Sequence, residues 1–155
     1  MLQRVQSIWL LFATLSILSL FLFPYIQIPE SDGLLKSIMV TGVYENVNNQ
    51  TLQTQHFTII TIATVFLALI PLITIFLFKN RKQQINLCYL TVMAILGYSF
   101  WLVQSAKGII GDFTLQTENY RIGVFLPSLA ILFLVLAIKG IKRDEKLIRS
   151  VDRLR

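Results

Sequence analysis

Hydroxyl groups are the most frequent polar groups inside the apolar segments of this 155-residue chain. A serine or threonine becomes a nucleophile when a histidine, lysine or carboxylate beside it takes its proton. The apolar segments hold no such base, so we predict that the chain is not an enzyme and that these hydroxyls bond to helix backbones. Among them are the hydroxyls of Ser16, Ser19, Thr61, Thr64, Thr91, Ser99 and Ser128.

Small residues share the same segments, and we expect them to let helices approach one another closely. Among them are Ala13, Ala63, Ala94, Gly97, Gly123 and Ala130.

The single histidine and the single cysteine cannot together supply four protein ligands to a structural zinc ion. We predict no metal and no cofactor. His56 lies at the boundary of an apolar segment, and Cys88 is expected to act as a small apolar side chain. An enzymatic alternative requires the loop residues Asp112, Glu118 and His56 to converge.

The apolar segments themselves predict the fold. Hydrophobic residues make up 55% of the chain and charged residues 14%, which is more apolar surface than a small soluble core buries. Four stretches lack charged residues and histidine: 5–23, 57–78, 85–103 and 122–138. Each is long enough to cross a bilayer as a helix, the last one marginally. We predict an all-α membrane protein, a four-helix transmembrane bundle forming one integral membrane domain over residues 1–155.

The distribution of lysine and arginine predicts the orientation. Residues 1–4, 79–84 and 139–155 carry eleven of these residues, whereas the loops 24–56 and 104–121 carry three. Cytoplasmic segments are enriched in positive charge. We therefore expect both termini in the cytoplasm, with the two loops on the outer side of the membrane. The basic residues crowd a tail near the membrane, so we predict no nucleic-acid partner.

The two outer loops have compositions that favour β-structure. YIQI and SIMVTGVYE in the first loop are rich in β-branched and aromatic residues, and DFTLQT in the second alternates apolar and polar residues. We expect a small β cap joining both loops.

The tail 139–155 has the pattern of an amphipathic basic helix. Such a helix rests on the anionic inner leaflet, continues the last span, or docks on a protein partner. The residues expected to make these contacts are Lys142, Arg143, Lys146, Leu147, Ile148, Arg149, Val151, Arg153 and Leu154.

Two prolines interrupt apolar segments. Pro71 and Pro127 are predicted to kink the second and fourth helices, because each removes a backbone donor and leaves the carbonyl four residues earlier unpaired. No charge accompanies either proline, so a structural kink is favoured over a transport site.

Three segments resemble one family over essentially the whole length: MLQRVQSIWLLFA, FKNRKQQINLC and FLPSLAILFLVLAIKGIKRDEKLIRSVDRLR. The chain resembles the small inner-membrane proteins classed as domain of unknown function 4293, from Bacteroidota-type bacteria. The resemblance implies a four-span membrane protein and supplies no catalytic residues.

These observations lead to two functional hypotheses. The first is a non-enzymatic structural or accessory subunit of a larger cytoplasmic-membrane complex, in envelope protein export or assembly. The alternative is a binder or carrier of a lipid-like apolar molecule held between the kinked second and fourth helices.

Overall fold

The computed structural model describes residues 3–29, 35–47, 50–78, 80–110 and 117–152. The chain forms four α-helices and four β-strands, together with short 3₁₀ turns. The helices are α1 (Gln3–Leu18), α2 (Thr58–Phe76), α3 (Arg81–Ile110) and α4 (Phe125–Asp152). The strands are β1 (Ile26–Pro29), β2 (Leu35–Met39), β3 (Gly42–Val47) and β4 (Gln50–His56).

Each helix packs against two others. α1 contacts α2 and α4, and α3 contacts the same two helices, so α2 and α4 lie diagonally opposite. The core stripe of α4 consists of Ala130, Leu134, Ala137 and Ile141, all fully buried, and their alternating spacing of four and three keeps them on one face. On α1 the stripe is Leu10, Ala13 and Ile17.

Three helices are long and apolar enough to cross a membrane: Thr58–Phe76, Arg81–Ile110 and Ile122–Leu147. The first apolar helix is shorter and spans Val5–Phe21. It ends with a 3₁₀ turn over Ser19–Phe21, because Pro24 follows at once and the residue before a proline disfavours helical backbone.

The predicted end of the third helix is corrected. α3 continues to Ile110, so residues 104–110 of the predicted second outer loop are helical. Ala106 on this extension is fully buried and Ile109 and Ile110 pack on the core, which explains why the helix continues past its most apolar part. The described part of the tail is helical and continues the last span, one of the alternatives given above, because α4 runs without a break to Asp152.

The predicted sheet exists and has four antiparallel strands in the order β1-β2-β3-β4. All four strands come from the first loop. The described part of the second loop adds one bridge, between Ile26 and Tyr120, and residues 112–116 of DFTLQT lie outside the described residues. Thus the first loop builds the sheet and the second loop covers one edge of it.

The buried row of the sheet crosses three strands. Ile26 pairs with Ile38, and Ile38 pairs with Val43, and all three side chains are buried. The β2–β3 hairpin turns through two residues into Gly42, whose φ of 152° only glycine adopts readily. Residues Ile26 and Ile38 belong to the same apolar cluster as the helix stripes, so the sheet packs on the helix ends. We call this the sheet end of the molecule, and the opposite end, where α1 and α3 begin, the far end.

Candidate functional site

The far end holds a cluster of buried polar side chains contributed by α1, α3 and α4. Gln6 and Asp144 are each 7% exposed, and Gln84 is 5% exposed. The Gln6 side-chain amide donates a hydrogen bond to the Asp144 carboxylate, joining residues 138 positions apart in the chain. Burying a carboxylate is unfavourable unless it is bonded, so this contact fixes α1 against α4 at one particular register.

A glycine makes room for this contact. A Cβ atom at Gly140, one turn before Asp144, would lie 3.0 Å from Cγ of Gln6. The glutamine side chain therefore lies directly on the α4 backbone. Because α1 and α4 run in opposite directions, the contact places the start of α1 beside the residues around 144.

The turn between α2 and α3 belongs to the same cluster. The Gln84 amide donates to the backbone carbonyl of Thr74, at 3.2 Å, and so pairs an acceptor in the last turn of α2. Asn80 precedes α3, and its carbonyl accepts the backbone N–H of Gln84 at 3.0 Å. The first bond holds the two helices together at the far end, and the second is the first backbone hydrogen bond of α3.

Arg81 begins α3 and lies over a small pocket. One guanidinium nitrogen, Nη1, is buried and has no hydrogen-bond partner among the described residues. The pocket has a volume of about 10 Å³ and is lined by Gln6, Ser7, Phe78, Arg81 and Gln84. That volume is on the scale of one water molecule, so the pocket has no room for an organic substrate.

A second contact ties α4 to α3. The Lys142 ammonium donates to the Tyr89 hydroxyl at 2.7 Å and lies 5.2 Å from the ring centre. These two distances place the ammonium beyond the hydroxyl oxygen rather than over the ring face. The contact is thus mainly a hydrogen bond, on an exposed surface.

The predicted contact residues of the tail fall into three groups. Lys142, Arg143, Lys146 and Leu147 are exposed on α4, with Leu147 at 49%. The backbone of Ile148, Arg149 and Val151 continues the helix, and Arg153 and Leu154 lie outside the described residues.

Six of the seven hydroxyls named in the sequence analysis bond to helix backbone as predicted, and no such bond is found for Ser128 in the described part of the chain. Ser16, Thr64, Thr91 and Ser99 each donate to the carbonyl four residues earlier, at 2.7 to 2.8 Å. Further bonds of this type come from Ser19 and Thr61. Thr64 also shares a 2.5 Å hydrogen bond with the Tyr98 hydroxyl, which joins α2 to α3.

The small residues behave less uniformly. Ala13 and Ala130 are fully buried, as expected for close helix contacts. Gly123 touches the Phe23–Pro24 backbone rather than a helix, and a Cβ at Gly97 would meet nothing within 4 Å. The expectation is therefore wrong for Gly97, which faces away from every other helix.

The two prolines lie at different depths. Pro71 is buried inside α2, thirteen residues after the helix begins, whereas Pro127 is the third residue of α4. A proline in the first turn removes no helical hydrogen bond, so the reason for a kink does not apply at Pro127. Since both helices start at the sheet end, the prolines are about 17 Å apart along the helix direction at 1.5 Å per residue. They do not frame one site between α2 and α4.

The loop residues of the enzymatic alternative do not converge where they are described. His56 ends β4, and Glu118 lies in the 3₁₀ turn that contacts β1, so the two exposed residues lie beside opposite edges of the sheet. Asp112 lies outside the described residues. Within the described ranges there is no group of three His, Cys, Asp or Glu side chains that could hold a metal ion.

The sheet end has its own electrostatic features. Lys36 and Glu45 form an ion pair at 2.9 Å, and the hydrogen bond from Lys36 holds the pKa of the Glu45 carboxyl below its usual range. Tyr25 is 2% exposed, and burial raises the pKa of its phenol strongly. The ion pair joins β2 to β3, and the backbone N–H of Tyr25 donates to the Ile38 carbonyl of β2 at 3.0 Å.

Sequence reasoning missed the Gln6–Asp144 contact. Gln6 is uncharged and sits in an apolar run, while Asp144 is one acid among the basic residues of the tail, so neither stands out. The available signal was spacing. Asp144 follows Ala137 and Ile141 by seven and three residues, which places it on the buried stripe of α4.

Comparison with known families gives one result over nearly the whole chain. The family model described as Domain of unknown function (DUF4293) matches residues 2–154. The resemblance seen in three segments is thereby confirmed. No curated protein and no solved structure matches the chain.

Proposed function

The chain belongs to the DUF4293 family, and we propose that it is a non-enzymatic accessory subunit of a larger complex in the cytoplasmic membrane. Envelope protein export or assembly is the process that we propose for this complex. The proposal has three parts: a membrane topology, a surface that contacts the partner, and a rigid presentation of that surface.

The proposed topology is a four-helix transmembrane bundle with both termini in the cytoplasm of a bacterium. The apolar composition of the helices and the excess of lysine and arginine at the far end support it. α1 is the shortest crossing, about 26 Å for the 17 residues of its apolar helix at 1.5 Å per residue. In this topology the sheet lies on the outer surface and the polar cluster lies near the inner one.

The proposed contact surface is the exposed basic face of α4 at the far end. Arg143 and Lys146 are exposed there, next to the exposed apolar side chain of Leu147. A basic helix beside the inner leaflet attracts anionic lipid headgroups, and the same residues suit an acidic surface on a partner protein. The partners that we propose are membrane lipids and a larger protein complex, without nucleic acid or metal.

The observation that carries the proposal is that this basic segment is part of a fixed helix. α4 runs unbroken from the sheet end through residues 142–147, bonded to α1 through Gln6 and Asp144 and to α3 through Tyr89 and Lys142. A surface on a rigid element presents its side chains in one arrangement, which lowers the entropy lost on binding.

The test uses charge reversal on this face in the full chain, expressed at its natural level with a tag. Purification of the tagged protein in a mild detergent is expected to recover a second, different protein in a constant ratio to this chain. Arg143→Glu combined with Lys146→Glu is expected to remove that chain, because like charges then face an acidic partner. Lys82→Glu is the matched control, because Lys82 is exposed at the same end but lies on α3.

Two results would overturn the proposal. One is recovery of this chain by itself, as a monomer or a homo-oligomer. The other is recovery of the same second chain with the Arg143→Glu, Lys146→Glu variant as with the unchanged protein. Insertion of the variant into the membrane is checked by its resistance to extraction with alkaline carbonate.

A further inference from the structure

The two edges of the sheet differ in how they are protected. β1 ends in Pro29, and the second loop covers it through the Ile26–Tyr120 bridge and a hydrogen bond from the Arg121 N–H to the Tyr25 carbonyl at 3.2 Å. β4 is the other edge, and no described segment pairs with its outer side. An unpaired edge offers a row of backbone donors and acceptors to another strand.

β4 carries almost none of the features that usually block such pairing. Its sequence, QTLQTQH, has no lysine, acid, proline or glycine over seven residues. The one protective feature is a bulge, because Gln55 pairs with Val43 and Gln53 pairs with Tyr44, leaving Thr54 as the extra residue. The stretch from 50 to 53 is regular and pairs with residues 44–47.

Leu52 stands out at the centre of this edge. It is 55% exposed, and it lies between the exposed Thr51 and the half-buried Gln53. It pairs with Glu45 and so lies on the same face as Val43, the face of the sheet that packs on the helices. An exposed leucine on an open strand edge is apolar surface that a second strand would cover.

From these features we propose that β4 pairs with β4 of a second copy of this chain, in antiparallel fashion, with Leu52 on the twofold axis. A second copy is the occupant that fits, because β4 brings no charge that its symmetry mate would repel. Threonine and glutamine flank Leu52 on this strand, so around the axis each uncharged polar side chain of one copy would face an uncharged polar side chain of the other. In this pairing Leu52 faces Leu52, and Thr51 faces Gln53.

The symmetry agrees with membrane insertion. The sheet packs on the helix ends, so a twofold axis perpendicular to the sheet keeps both sets of helices on the same side of it. Two copies inserted in one bilayer in the same orientation are related by such an axis. Their β4 edges then lie at the same height above the membrane. The result is a continuous sheet of eight strands across the dimer. This proposal does not depend on the accessory-subunit function.

Cysteine cross-linking in intact membranes tests the pairing. Cys88, the single cysteine of the sequence, is buried and is removed by Cys88→Ala. On that background Leu52→Cys is expected to form a disulfide-linked dimer on mild oxidation, because paired Cβ atoms lie about 4.5 to 5.5 Å apart. Gln55→Cys is the matched control on the same strand. Its two copies would lie about 20 Å apart, twice three residues at 3.3 Å, and should give at least about tenfold less dimer.

A charge series separates loss of pairing from loss of folding. Leu52→Lys and Leu52→Glu are each expected to be monomeric by light scattering in mild detergent, because like charges meet on the axis. Expressed together, the two variants are expected to form the mixed dimer. The proposal is overturned if Leu52→Cys reacts with a maleimide but gives no more dimer than Gln55→Cys. It is equally overturned if Leu52→Lys remains dimeric, or if the dimerising strand belongs to a different chain.

Discussion

Gly123 is the position where one added methyl group should disturb the molecule most selectively. A Cβ atom there would lie 2.6 Å from the carbonyl oxygen of Pro24 and 2.9 Å from that of Phe23. Both neighbours are backbone atoms, so no flexible side chain can move aside. The Gly123 N–H also donates to the Pro24 carbonyl at 3.2 Å, which joins the start of α4 to the end of α1.

The size of the effect follows from these distances. Carbon and oxygen normally approach to about 3.3 Å, so the two segments must separate by about 0.7 Å. Forcing a methyl group into a packed site costs about 1 to 3 kcal/mol, and loss of the Gly123–Pro24 hydrogen bond adds about 1 kcal/mol. Gly123→Ala is therefore expected to lower the free energy of unfolding by about 2 to 4 kcal/mol.

Gly97→Ala is the matched control, because it adds the same methyl group where nothing lies within 4 Å. Alanine favours helix over glycine, so this variant should be unchanged or more stable by up to about 1 kcal/mol. The assay is reversible unfolding in mixed detergent micelles, followed by circular dichroism. Hydrogen exchange should show the amides of Tyr25 and Arg121 losing protection in Gly123→Ala. Equal stability of the two alanine variants would refute the reasoning.

Three further predictions concern polar contacts. Gln6→Leu leaves the buried Asp144 carboxyl without its hydrogen-bond donor, so it should lower the free energy of unfolding by about 1 to 3 kcal/mol in the same assay. Gln6→Glu combined with Asp144→Asn should restore part of this stability, because an amide again faces a carboxylate. The lowered pKa of Glu45 means that its ion pair stabilises the sheet above the ordinary carboxyl value of 4.5 and that this contribution is lost as the pH falls through the folded-state value. Glu45→Gln should therefore reduce the loss of hydrogen-exchange protection that the sheet shows as the pH is lowered. An unchanged pH dependence would contradict the role given to the Lys36–Glu45 ion pair. Thr64→Val and Tyr98→Phe should each lower the free energy of unfolding by about 0.6 kcal/mol. The double variant should lower it by less than the sum of the two single effects, because both substitutions break the same interhelical hydrogen bond.

The helices could be predicted because the bilayer leaves a chain few alternatives. Long runs without charge must satisfy their backbone groups internally, so even segments rich in isoleucine and threonine, such as Thr58–Phe76, form helices. The helix ends were harder. α3 continues seven residues past Val103 because Ala106 and its neighbours still bury apolar surface, and apolar run length alone does not record this.

The sheet was predictable in part for the opposite reason. β1, β2 and the start of β3 bury a row of β-branched residues, and this composition is visible in the sequence. β4 buries none of its described side chains, so no apolar alternation marks it, and it forms because β3 supplies a template for its backbone. β4 is held to β3 by backbone hydrogen bonds. Backbone N–H and C=O groups of the same kind point outward from its free edge, where another strand can pair with them.

The polar cluster at the far end escaped prediction because it depends on three-dimensional placement. Glutamine tolerates an apolar run, and an aspartate among basic residues looks like a solvated charge. Gly140 and the stripe through Ala137 and Ile141 turn that aspartate inward, onto Gln6. The buried stripe of α4 is apolar through residue 141, and its next buried position holds the Asp144 carboxylate. This carboxylate makes the packing of α1 on α4 specific. Sliding α1 by one turn would leave both Gln6 and Asp144 buried without partners, so the contact selects a single register for α4 and thereby a single direction for its basic face.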